Sequence, residues 1–185
     1  MSISHVVRPA LTLFITAVLV IALLGGVHAL TFHPIERQKR RTQEAAMREV
    51  LPGASEYREM QTVKSGSISA VYEGLDGDSV AGFVVELSPK GYSGHIDLIV
   101  GISASDKKIT GIRVLRHTET PGLGALAVSA DFYRRYDNRE LVPLGVVRTS
   151  PGRNEIQAIT SATITTRAIT NAVNEAIAWY QGNAK

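Results

Sequence analysis

Ile156-Gln157-Ala158-Ile159-Thr160-Ser161-Ala162-Thr163-Ile164-Thr165-Thr166-Arg167 crowds four threonines and a serine between a short apolar stretch and a long C-terminal helical pattern. Downstream, Ile169, Val173, Ile177 and Tyr180 recur at helical spacing with Ala172 and Ala176 beside them, so a helix over Thr166–Tyr180 is expected to lay this stripe on a sheet. Hydroxyls and unpaired backbone N–H groups then collect where the helix begins, and such a place favours an anion such as a phosphate. The same pattern also reads as an ordinary Ser/Thr helix cap, with Thr165 and Thr166 placed to serve as caps.

The sheet is read from the middle of the chain. Ile68–Tyr72 and Val80–Leu87 alternate on either side of Gly74-Leu75-Asp76-Gly77, the pattern of a β-hairpin. Ile96, Leu98 and Val100 share one face of the next strand, and Ser105–Lys108 joins it to another over Ile109–Leu115. A short helix over Leu126–Tyr136 and a strand over Leu141–Arg148 complete the expected elements, giving an α+β class with a largely antiparallel, half-buried sheet and packed helices.

Upstream, Ala10–Leu30 is an almost uncharged run of the ~20-residue length that spans a bilayer. A retained transmembrane helix is the first reading; a cleaved signal sequence, with Val27-His28-Ala29 as the processing site, is the rival. Pro34 is expected in the first turn of a separate helix over Ile35–Val50, which Leu51-Pro52-Gly53 ends. The resulting division is a tail at 1–9, a transmembrane helix at 10–30, a basic connecting helix at 31–53 and one domain at 54–185. Arg37, Lys39, Arg40 and Arg41 follow the span while only Arg8 and the terminal amine precede it. Charge alone would therefore keep the C-terminal domain in the cytoplasm.

Composition narrows the chemistry. The chain has 185 residues and no cysteine, which excludes disulfides and thiolate-held iron–sulfur clusters, so an electron carrier here would need an organic cofactor. A net charge of +3 does not make a nucleic-acid footprint. His117 and Glu119 lack a third ligand for a catalytic zinc, because His5, His28, His33 and His95 complete no suitable spacing; His117 is expected to be structural or to line a site. No nucleophile elbow, P-loop or dinucleotide-binding glycine pattern is present, so no catalysis by the chain alone is expected.

Thr160-Ser161-Ala162-Thr163 resembles the flavinylation motif of the G subunits of Rnf complexes, relatives of the C subunits of sodium-pumping NADH:quinone oxidoreductases. His117-Thr118-Glu119-Thr120-Pro121-Gly122-Leu123-Gly124 matches that family's His-x-Glu-Thr-Pro-Gly-Leu-Gly segment, and Gly91-Tyr92-Ser93-Gly94 its Gly-Tyr-x-Gly loop. The family usually has Gly where this chain has Ser161, and often Asp at the position of Gln157. Ser161 therefore puts a side chain where the family's glycine gives the backbone access to positive φ.

The resemblance implies an FMN-binding domain with the cofactor esterified to Thr163 by a separate flavin transferase. Thr160, Ser161, Ala162, Ile164, Thr165, Glu119, Thr120, Gly122, Leu123, Gly124 and Tyr92 are carried over as cofactor contacts, Leu123 against the ring. It further implies an electron-transfer subunit of an ion-translocating complex in the bacterial inner membrane, working with other membrane and iron–sulfur subunits and with its domain on the periplasmic side, against the charge rule. Two other readings stand beside it: a cofactor-free scaffold that has lost flavinylation, and a membrane-tethered flavoenzyme with its own small substrate.

Overall fold

The computed structural model describes residues 4–60 and 65–184, without the side chains of residues 4–6, 29, 30, 33 and 34. The first residues of the expected tail, Lys64 and Lys185 lie outside the described residues, as do the side chains of His5, Ala29, Leu30, His33 and Pro34. The chain divides into two compact units, Met1–Thr42 and Gln43–Lys185.

In the first unit the described chain is wholly helical. Helix α1 spans Ser4–Val50, with Pro34 inside it rather than at its start. A proline removes one amide donor and strains one turn, which a long helix can absorb as a local fault. The apolar part is Val7–His28, 22 residues with none of it buried. At 1.5 Å per residue this is roughly 33 Å, enough to cross a hydrocarbon core of about 30 Å. Thr12, Thr16 and Thr31 return their hydroxyls to carbonyls one turn back, so these polar groups are satisfied without water.

The second unit is α+β. Its six-stranded antiparallel sheet runs β1 (Glu56–Glu59), β2 (Ile68–Asp76), β3 (Ser79–Leu87), β4 (Asp97–Ser103), β5 (Lys108–Arg116) and β6 (Arg139–Glu140), each strand beside the next. The hairpin is tighter than expected: Gly74 and Leu75 belong to β2, opposite Gly82 and Val80, and only Gly77-Asp78 turns. Strand β1, with the polar sequence Glu-Tyr-Arg-Glu, carries no alternating apolar signal and was not expected.

One face of the sheet packs on α3 (Thr163–Asn183), with Leu98, Val100, Ile102 and Ile112 in the same core as Ile169, Val173, Ile177, Phe132 and Tyr136. The expected stripe of α3 is buried throughout. The sheet is not half-buried, however. Val84 and Ile99 point the other way, into a second cluster with Ala46, Met47, Val50, Leu51 and Ala54, so β4 is buried on both faces. A one-face reading of Leu98 and Val100 leaves out Ile99 between them, which makes a continuous apolar run of the kind a strand buried on both faces shows.

The helix expected over Leu126–Tyr136 is three short pieces: a 3₁₀ turn at Gly124–Val128, α2 at Ala130–Tyr133 and a 3₁₀ turn at Arg134–Tyr136. Ser129 breaks the run with an extended backbone, and its hydroxyl donates to the Leu126 carbonyl. The strand expected over Leu141–Arg148 shrinks to β7 (Gly145–Val147), which pairs in parallel with β8 (Glu155–Gln157). Before it, Asn174 of α3 replaces a strand neighbour: its amide accepts from Leu144 N–H and donates to Leu144 O.

Candidate functional site

From β8 the chain must reverse into α3, and the reversal is sharp. Ala162 N–H donates to Ile159 O, closing a turn in which Ser161 has φ of +63°. Helix α3 then begins at Thr163, three residues earlier than the sequence pattern indicated. Its N-cap is Ala162, which offers no side-chain cap, so neither Thr165 nor Thr166 caps the helix. Thr166 N–H makes a bond to Ala162 O within the first turn, and the amides of Thr163, Ile164 and Thr165 before it have no intrahelical acceptor.

The hydroxyls of this segment have different fates. Thr166, fully buried, donates to Ala162 O and accepts from Ile159 N–H. Thr165, also buried, donates to Glu119 Oε2. Thr163 is half-buried and its hydroxyl has no protein partner among the described residues; Thr160 is exposed.

The second wall is the turn after β5. Its shape follows from Leu123 and Ala125 N–H, which both donate to Thr120 O, and from Gly122, whose φ of +75° suits a residue without a side chain. Glu119 points inward and is only 5% exposed. Its Oε1 accepts Tyr92 N–H at 2.8 Å and Ser93 N–H at 2.9 Å, reaching the third wall, the loop closed by Gly91 N–H on Gly94 O. His117 supports this turn from within: its Nδ1 accepts the Glu119 amide at 3.2 Å.

Together the three walls enclose a cleft of about 350 Å³. Tyr92 lines it from the loop; Glu119, Thr120, Leu123 and Gly124 from the turn; Ser161, Ala162, Thr163, Ile164 and Thr165 from the start of α3. Of the residues expected at the site, only Thr160 and Gly122 do not line it. Tyr92 is 70% exposed, Ile164 55% and Leu123 40%, so large apolar side chains stand open around a cleft that also holds free hydroxyls and amides. An aromatic ring carrying a phosphate matches such a lining: flat apolar surfaces for the ring, helix-start N–H groups for the anion.

Residues 91–178 match the family described as FMN-binding domain, and residues 1–50 match the RnfG N-terminal region. The G subunit of the Na⁺-translocating ferredoxin:NAD⁺ oxidoreductase complex of Acetobacterium woodii is 35% identical over 97% of this chain and 94% of its own length. The chain belongs to the Rnf G-subunit family. The G subunit of an ion-translocating oxidoreductase complex of Methanosarcina acetivorans is 33% identical, over 88% of the present chain and 90% of the relative. The C subunit of the Na⁺-translocating NADH–quinone reductase of Parabacteroides distasonis shares the fold, with a TM-score of 0.51, 18% identity and 60% of each chain covered.

The support beneath the cleft was not legible in the sequence of this Rnf G-family member. Glu119, expected as a cofactor contact, lines the cleft and also ties its walls together, with both oxygens accepting from protein donors. Gly91 is part of the same arrangement, since a Cβ there would lie 2.5 Å from Glu119 Oε1.

The backbone of Ser161 yields a direct prediction. A left-handed conformation costs an L-residue about 1–2 kcal/mol, part of which glycine gives back through its freer unfolded chain. Ser161→Gly should therefore raise unfolding stability by about 0.5 kcal/mol, read as a higher denaturant midpoint. A lower midpoint would show that the Ser161 side chain makes a contact worth more than the strain.

Proposed function

We propose that this Rnf G-family chain carries FMN joined to Thr163 through a phosphoester and passes electrons within a complex that couples ferredoxin–NAD exchange to ion movement. The single observation that carries the attachment point is the division of hydroxyls at the start of α3. Thr165 and Thr166 spend theirs on Glu119 and Ala162, Thr160 stands outside the cleft, and Thr163 lines the cleft with its hydroxyl unpaired. The names of the relatives support the wider assignment, and the match over nearly their full length supports carrying it to this chain.

In this reading FMN, once bound, supplies the electron uptake and release, and the protein holds and tunes it. Leu123, Ile164 and Tyr92 offer apolar contact to the ring, limiting its access to water. The amides of Thr163–Thr165, which have no intrahelical acceptor, would be the groups to hold the phosphate, and the helix start would stabilise its negative charge by about 0.3–1 kcal/mol. Attachment is performed by a separate flavin transferase, so Thr163 needs no neighbouring base.

The reading also sets the topology. Residues 10–30 cross the bacterial inner membrane once, residues 31–53 connect, and the flavin domain at 54–185 lies on the periplasmic side. Membrane and iron–sulfur subunits of the complex, and lipid around α1, are the partners. Because Arg37, Lys39, Arg40 and Arg41 argue for the opposite orientation, a reporter fused after Lys185 is the direct check. Activity of a reporter that works only in the cytoplasm would reverse the assignment.

The experiment for the function as a whole is intact mass of the full chain coexpressed with a flavin transferase, together with copurification of other membrane subunits. One added FMN phosphoester and co-eluting subunits are expected. An unmodified chain that still copurifies would identify a cofactor-free scaffold, and a modified chain that purifies alone would identify a self-contained flavoenzyme.

A further inference from the structure

The structure assigns Glu119 a positioning role: it selects which threonine of α3 is offered for attachment and holds Tyr92 at the edge of the cleft. The selection of Thr163 rests on the attachment reading above; the hold on the loop does not.

Three donors from two separate segments converge on this one buried side chain, the amides of Tyr92 and Ser93 and the hydroxyl of Thr165. Glu119 itself belongs to a third segment, so its carboxylate is the common tie of all three cleft walls. Space has been left for it on both sides. A Cβ at Gly91 would strike Oε1, and a Cβ at Gly124 would strike Oε2.

Successive residues of a helix point about 100° apart, so a rotation of α3's first turn changes which hydroxyl meets the cleft. Thr166 ties that turn only to Ala162 and Ile159, residues immediately before it that would turn with it. The Thr165–Glu119 bond is the hydroxyl tie from this turn to a distant wall. With Thr165 drawn inward, Thr163 is left as the threonine that lines the cleft with its hydroxyl unpaired. On the other oxygen, two adjacent amide bonds fix the loop from which Tyr92, although mostly exposed, lines the cleft.

The tie needs an acceptor oxygen toward the loop amides and a second polar atom toward Thr165. Glutamine keeps the shape and one acceptor, which can serve both loop amides, while its NH₂ can donate to Thr165 once that hydroxyl turns to accept. Glu119→Gln should therefore rescue what Glu119→Ala loses, whereas Glu119→Met, which fills the space without a carbonyl or carboxylate acceptor, should not.

The test uses the full chain in detergent, first without flavin. Hydrogen exchange at the amides of Tyr92 and Ser93 should speed up by about tenfold in Glu119→Ala and in Glu119→Met but not in Glu119→Gln, with β4 unchanged in all three. After coexpression with the transferase, peptide mapping should find FMN at Thr163 in the wild type and in Glu119→Gln, and at least about tenfold less there in Glu119→Ala. Wild-type exchange and wild-type attachment in Glu119→Ala would overturn the inference. If that variant also loses protection in β4, Thr165→Val decides, since it cuts only the tie to α3: undiminished modification of Thr163 in it overturns the selecting role. A wild-type chain without FMN overturns the attachment reading and the selection with it, while the exchange result still stands or falls on the loop.

Discussion

Thr163→Val should abolish covalent flavin and leave the domain folded. The substitution keeps the branched shape and exchanges a hydroxyl for a methyl. Because the Thr163 hydroxyl makes no bond among the described residues, its loss leaves no buried partner unsatisfied, and the change in stability should stay within about 0.5 kcal/mol. Mass of the denatured chain after coexpression with the transferase reads the outcome directly. FMN retained on Thr163→Val, or mapped to Thr160 or Thr165 in the wild type, would place the attachment in a different register. Thr165→Val is a useful contrast, since it removes a hydroxyl that does have a buried partner, Glu119, and should cost about 1–3 kcal/mol.

Gly124→Ala should have the second largest effect, although it adds a single methyl. That methyl would lie 2.7 Å from Thr165 Oγ1 and closer still to Glu119 Oε2. In many places a flexible side chain would swing aside, but Glu119 is held by three donors and Thr165 by its position in a buried helical turn. Relief requires breaking the bond between them or moving a wall of the cleft. A loss of about 2 kcal/mol or more is expected from overpacking and the broken hydrogen bond, with reduced modification of Thr163. A Gly124→Ala protein with the wild-type denaturant midpoint and full flavin content would show that the turn has room the structure does not reveal.

These two sites mark the boundary of what the chain's order of residues determined. Elements with a local period were legible: the apolar run that became Val7–His28, the antiparallel hairpin, the strands around Leu98 and Ile112, and the stripe from Ile169 to Tyr180. Each follows from which side chains leave water together at a spacing of two or of about 3.6 residues. The three motifs were also legible in advance, and they meet in one cleft although Tyr92 and Thr163 are far apart in the chain.

Tertiary structure alone decided what joins them. A buried glutamate beside a Gly-Tyr loop looks in sequence like any polar residue of a turn, and its three donors become visible only when the segments are brought together. The same holds for what covers the second buried face of β4, Val50 and Leu51 folding back over it, and for the parallel pair β7–β8. The left-handed Ser161 lies between these cases: the sequence marked a position where glycine would be at ease, and the tight reversal from β8 into α3 imposed the conformation on serine. Local spacing thus marked the helices and strands that carry a clear period, while the fold decided which of four neighbouring threonines offers the cleft a free hydroxyl: Thr166 is spent within its own turn, Thr160 lies outside the cleft, and Thr165 is spent on Glu119, a partner that only the folding together of distant segments supplies.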